Sequence, residues 1–171
     1  MKKYILFCLF IFSFRMPVLS QSLNLLTVDE KRGVPILIGW CSREGFDMEP
    51  FAWFSEEYNR YTPDMATLSR LTAGDLAGVI ITVILGTWCS DSQREVPRFF
   101  RMLDECPFDQ SMIELICVNS AKEVPGEDIS AYGIERVPTF IFYRDDAEAG
   151  RIVETPVESL EKDMVAILLS K

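Results

Sequence analysis

The hydrophobic pattern changes period several times along the chain. "GVIITVILG", Gly78–Gly86, is a continuous apolar run without polar alternation, which predicts a strand buried on both faces of a sheet. Directly after it, "SQREVPRFFRMLDE" sets Val96, Phe99, Phe100 and Leu103 at i, i+3, i+4 and i+7, the stripe of an amphipathic helix that Pro97 is expected to kink. "SMIELICVN", Ser111–Asn119, is a second apolar run, followed by a weak helix near Glu127–Tyr132. "VPTFIFY", Val137–Tyr143, and "RIVET" read as two strands joined by the acidic turn "RDDAEAG". Val157, Leu160, Met164, Ile167 and Leu168 close the chain as a last amphipathic helix. The first crossover favours parallel pairing and the short late turn an antiparallel pair, so the predicted fold is α/β, a mixed central sheet with helices on both faces.

Upstream of Gly78 the pattern is weaker. Residues 21–33 are polar and read as irregular, and "VPILIG", Val34–Gly39, as a short strand. "EPFAWFSEEYNRYTPDMATLSRL" carries Phe51, Phe54, Tyr58 and Tyr61 at helical spacing up to Pro63, and a second short helix runs to about Leu71. These aromatics read as core.

The N-terminus differs from both halves. Lys2 and Lys3, the apolar run Tyr4–Phe14, and Ser20 with Val18 two places before it have the layout of a secretory signal peptide over residues 1–20. The run is shorter than the roughly 20 apolar residues of a spanning helix. Cys8 would leave with it, and Leu6 and Phe7 lack the small residue a lipid-anchor cleavage site wants before its cysteine. Export is therefore expected, to a periplasm first and to the medium second, with no membrane anchor after cleavage. What remains is about 150 residues, the size of one domain: residues 21–77 as its N-terminal part and 78–171 as its core.

Charge and composition narrow the chemistry. The 26 acidic against 17 basic residues give a net charge of −9, which repels nucleic acid and anionic lipid, so neither is expected as a partner. There is no histidine, which removes Ser/His and Cys/His nucleophile pairs and the usual zinc ligands. Cys41, Cys89, Cys106 and Cys117 are too far apart in sequence for a metal knuckle, so no metal or other cofactor is expected, and their possible disulfide pairings stay open. Cys106 and Cys117 read as packing residues, whereas "GWCSREG" reads as an exposed loop carrying Cys41. Arg94 and Glu95 read as a solvated helix face.

Cys89 is placed differently. A strand running straight into a helix puts it at the helix N-terminus, where unpaired backbone N–H groups and the positive dipole end stabilise a thiolate. Ser92, one turn on, could donate a hydrogen bond to the sulfur, although Asp91 opposes the thiolate by like charge.

The element order together with Trp88, Cys89, Glu95, Pro97 and Pro138 resembles the thioredoxin-like superfamily, and within it the exported TlpA-like branch, whose Trp-Cys-x-x-Cys motif opens a helix and is followed by a glutamate and a proline. The match covers roughly Gly78–Lys171 and is loose upstream. The resemblance implies a thioredoxin-like fold, a catalytic Cys89 with Trp88 beside it, and a cis Pro138 that turns the backbone of Val137 toward the sulfur, where an extended peptide would pair. Three departures follow from the same comparison. Ser92 stands in place of the resolving cysteine, Asp91 in place of a proline, and Val83 where thioredoxins carry a buried acid.

Two functions remain in contention. One is a cell-envelope thiol-disulfide exchange protein working through the single motif thiol, with protein or low-molecular-weight thiols and disulfides as partners, and with release by an external thiol or by Cys41. The other is a redox-inactive peptide-binding or scaffolding module. A thiol peroxidase fits less well, because Gly86 occupies the position where peroxiredoxins want a threonine.

Overall fold

The computed structural model describes residues 23–170; the proposed signal peptide at 1–20, with Cys8, lies outside the described residues, as do residues 21, 22 and 171. The strands are β1 (Leu25–Val28), β2 (Pro35–Cys41), β3 (Val79–Leu85), β4 (Ile113–Cys117), β5 (Thr139–Arg144) and β6 (Ala147–Val153). The α-helices are α1 (Trp53–Arg60), α2 (Met65–Leu68), α3 (Ala73–Leu76), α4 (Ser90–Leu103) and α5 (Leu160–Leu169). The stretch expected to be irregular thus contains a strand. β1 forms because its backbone pairs with β2, while its own side chains stay exposed, and an element held by pairing rather than by burial leaves no periodic signature. The weak helix expected near Glu127–Tyr132 is a single 3-10 turn at Ser130–Tyr132.

The strands form one six-stranded mixed sheet in the order β1-β2-β4-β3-β5-β6. β3 and β4 are parallel, as a helical crossover through α4 requires, and every other neighbouring pair is antiparallel. β5 turns into β6 through Asp145 and Asp146, both at positive φ (51° and 61°), the conformation of a two-residue hairpin turn. β2 serves two neighbours: Pro35–Ile38 pair with β1 and Gly39–Cys41 with β4. Gly39 sits at the changeover with φ of 77°, where a residue bearing a Cβ would be strained.

Each face of the sheet has its own core. On one, Val83 and Leu85 of β3, Leu115 and Cys117 of β4 and Phe140 and Phe142 of β5 pack against Phe54 of α1, Val96 and Phe99 of α4 and Met164 of α5. Phe99 and Phe140, both fully buried, meet with ring centroids 4.4 Å apart; truncating a phenylalanine in such a core costs about 3–5 kcal/mol. On the other face, Ile84, Ile116, Val118 and Ile141 pack against Val124 and Val137, with Trp88 and Cys89 at the border. The α-helices therefore share one face rather than flanking both as expected, because the segment between β4 and β5 forms only a single 3-10 turn over the other.

Register then fixes where chemistry can occur. Leu85 lies beside Cys117 in the parallel pair, and Ile84 opposite Thr139 in the antiparallel one. The chain segments leaving β3, leaving β4 and entering β5 consequently meet at one end of the sheet.

Candidate functional site

Between the end of β3 and the start of α4 lie only Gly86, Thr87, Trp88 and Cys89. The turn closes on itself: Cys89 N–H donates to Gly86 O at 2.9 Å, and Gln93 Nε2 reaches back to Thr87 O at 2.8 Å. Cys89 is the N-cap of α4, with extended φ/ψ of −93° and 126°, and its carbonyl accepts the first helical bond from Gln93 N at 2.9 Å. The thiol is half-buried and lies beside the first, unpaired N–H groups of a fourteen-residue helix. A Cβ on Gly86 would fall 2.5 Å from Trp88 Cε2 and Nε1, so only glycine lets the indole lie across the turn. Trp88 is held there by Nε1 donating to Val118 O at 2.9 Å.

The strand β5 supplies the opposing wall. The Val137–Pro138 peptide is cis, and Cys89 Sγ donates to Val137 O at 3.3 Å. The loop is braced from behind, with Glu154 N–H donating to Pro138 O at 2.7 Å, Thr139 Oγ1 donating to Arg136 O at 2.7 Å, and Arg136 paired with Glu154. Among the described residues the Val137 N–H has no hydrogen-bond acceptor, which leaves it available to an incoming extended chain. Trp88, Cys89, Val137 and Pro138, grouped beforehand by the family resemblance, therefore meet within one small region.

Other expected residues fall elsewhere. Ser92 is fully buried, and its hydroxyl accepts from Gly86 N–H at 3.3 Å, rather than donating to the sulfur as expected. It braces the turn from below. Cys41 is not in an exposed loop: it ends β2, is 7% exposed, and its thiol donates to Gly39 O. β2 continues past Gly39 because its last residues pair with β4, a partner the sequence does not reveal. Cys41 packs with Cys117 on the helix-covered face, whereas Cys89 packs on the opposite one. Burial, together with the neighbouring Cys41 thiol, pushes the Cys117 thiol well up, and burial pushes Cys106 up to about 11. Glu95 is likewise not solvated. It is 4% exposed and accepts from Arg94 Nε at 2.6 Å, while Arg94 Nη2 also binds Asp91 at 2.7 Å. The charge of Asp91 beside the thiol is thereby compensated.

One group of site residues escaped sequence reasoning. The turn joining β1 to β2, Asp29–Gly33, reaches the site and lays the Arg32 guanidinium 4.4 Å above the Trp88 ring. Residues 21–33 read only as polar and irregular, and nothing in the composition of "DEKRG" names a tryptophan 56 residues downstream.

No family model matches the chain. It is similar to a thioredoxin-like protein of Acanthamoeba polyphaga mimivirus, 28% identical over 88 residues that make up 52% of this chain and 61% of that relative. The chain thus spans less than two thirds of the relative it matches. With the mixed sheet, the thiol opening α4 and the cis proline opposite it, that similarity makes the fold of this chain thioredoxin-like.

Proposed function

We propose that the protein is an exported thiol-disulfide exchange protein of the cell envelope that works through Cys89 alone. The observation that carries this reading is the placement of a half-buried thiol at the N-cap of α4, 3.3 Å from the Val137 carbonyl, beside a backbone N–H with no internal acceptor among the described residues. An extended peptide pairing with Val137 would present its disulfide to Cys89. The Cys89 thiol gives up its proton to solvent and its sulfur attacks one sulfur of the disulfide; the new Cys89–S bond forms as the other half leaves as a thiolate and takes up a proton. Cys89 is thereby oxidised from thiol to disulfide and the departing sulfur reduced from disulfide to thiol, so the substrate disulfide is the oxidant and no other is needed. With serine at position 92, no sulfur lies one turn away to expel the bound half, and Cys41 lies buried on the opposite face. Release therefore falls to an external thiol. The export half of the proposal rests on the charge and hydropathy pattern of residues 1–20.

Ser92→Cys tests the reading. The buried position beneath the turn would then hold a resolving thiol, and the variant should reduce a protein disulfide such as that of insulin catalytically, with dithiothreitol as the reductant. Without an added thiol the wild type should stop at the mixed disulfide, whereas Ser92→Cys should go on to release the reduced substrate and hold an internal disulfide. A variant that gains no activity, together with a wild type that forms no mixed disulfide, would favour a peptide-binding module without redox turnover.

A further inference from the structure

The turn between β1 and β2 is built to hold one side chain over the site. The Asp29 carboxylate accepts from Arg32 N at 2.8 Å and Lys31 N at 3.1 Å, which winds the turn on itself, and from Ser120 N at 2.7 Å and Ser120 Oγ at 2.9 Å, which ties it to the loop after β4. Gly33, at φ of 68°, closes the turn by donating from its N–H to Asp29 O at 2.7 Å. The β2 strand that follows is joined to the thiol turn by Leu37 N–H donating to Thr87 Oγ1 at 3.3 Å. Arg32 thus arrives over Trp88 on a backbone anchored at both ends, and Trp88 is itself fixed to Val118.

What Arg32 lacks is a partner. Arg43, Arg94, Arg98, Arg136 and Arg151 pair with carboxylates and Arg144 with backbone carbonyls; Arg70, like Arg32, has no carboxylate partner among the described residues, and what sets Arg32 apart is its stacking on Trp88. Arg32 is exposed and has no carboxylate partner among the described residues. Stacking on an indole occupies the face of a guanidinium and leaves the N–H donors in its plane free for a carboxylate. The net negative charge of the chain disfavours an anionic substrate at long range, but beyond about 10 Å that field is screened at ordinary ionic strength, and at contact the nearest cation decides.

We propose that Arg32 is an anion-binding residue of the Cys89 site, engaging a carboxylate carried by the thiol or peptide whose disulfide Cys89 attacks, so that the site selects anionic disulfides. The inference rests on the reading of Cys89 as the exchange thiol. The reaction is that already described: the Cys89 sulfur bonds to the carboxylate-bearing half, and the departing half leaves as a thiol.

The test compares rates of mixed-disulfide formation at Cys89 with 3,3′-dithiodipropionate (anionic), bis(2-hydroxyethyl) disulfide (neutral) and cystamine (cationic), each normalised to a small free thiol and followed by peptide mapping. The normalised anionic-to-neutral ratio should exceed one, and should fall about fivefold in Arg32→Gln, the size expected of one exposed bidentate ion pair. Arg32→Lys should restore part of it, and raising the salt to 1 M should erode it in the wild type. A ratio unchanged in Arg32→Gln overturns the proposal, including the case in which all three rates fall together because Trp88 has lost its packing. If Cys89 reacts with none of the disulfides, the exchange reading fails and Arg32 loses its role with it. Reaction with all three without charge preference removes Arg32 alone.

Discussion

At the scale of single residues, the site depends on an absence of side chain. The indole of Trp88 occupies space that a Cβ on Gly86 would need, and the nearest ring atoms would lie 2.5 Å away. Those atoms belong to a rigid ring fixed by a hydrogen bond to Val118 O, so they cannot yield as the end of a flexible side chain would. Gly86→Ala should therefore expel the indole, at a cost of about 1–3 kcal/mol typical of overpacking. The Trp88 indole N–H resonance should move toward its solvent-exposed position while those of Trp40 and Trp53 stay. An unmoved resonance would mean that the turn adapts and the glycine is not required. Cys89 itself was legible from a strand running into a helix. Val137 is reached only through the family resemblance, and Arg32 not at all, because its place over Trp88 depends on the long-range docking of the β1–β2 turn.

At the scale of elements, the β1–β2 turn is expected to act as a latch that acid releases. Burial pushes the Asp29 carboxyl up, but the N–H groups of Ser120, Arg32 and Lys31 and the Ser120 hydroxyl outweigh it, so the group sits below the ordinary aspartate value. A carboxyl depressed in the folded protein contributes stability that is complete above its unfolded value of about 3.9 and disappears as pH falls through the lower folded value. The turn should stay docked on the loop after β4 at neutral pH and release only in that acid range. Hydrogen exchange at the Ser120 amide, compared between wild type and Asp29→Ala, reads this directly. The variant should exchange faster at pH 7 and lose the acid-dependent step; equal exchange in both would show that Asp29 does not hold the turn. The latch also explains a limit of sequence reading. The long apolar runs of β3 and β4 and the stripe of α4 announce themselves because they are buried on a periodic face, whereas β1 has four exposed residues and exists only through its pairing with β2. Cys41 was misplaced for the same reason, since the pairing of Gly39–Cys41 with β4 is a long-range fact.

At the scale of the whole molecule, the sheet separates two kinds of thiol. Its helix-covered face takes Cys41 and Cys117 into the aromatic core, with Cys106 against it, and its other face brings Cys89 to an open end between three chain segments. Burial keeps Cys106 and Cys117 protonated at neutral pH, with Cys106 at about 11, and a protonated thiol is a poor nucleophile. Among Cys41, Cys89, Cys106 and Cys117, Cys89 alone is thus expected to exchange disulfides while the others pack. Acid-quenched thiol mapping by mass spectrometry on the purified protein, before and after exposure to glutathione disulfide at pH 7.5, tests it most directly. A mixed disulfide should form on Cys89, with Cys41, Cys106 and Cys117 remaining thiols. A Cys89 that stays free and alkylates no faster than the buried cysteines would contradict it, and the thioredoxin-like fold would then be serving a purpose other than exchange.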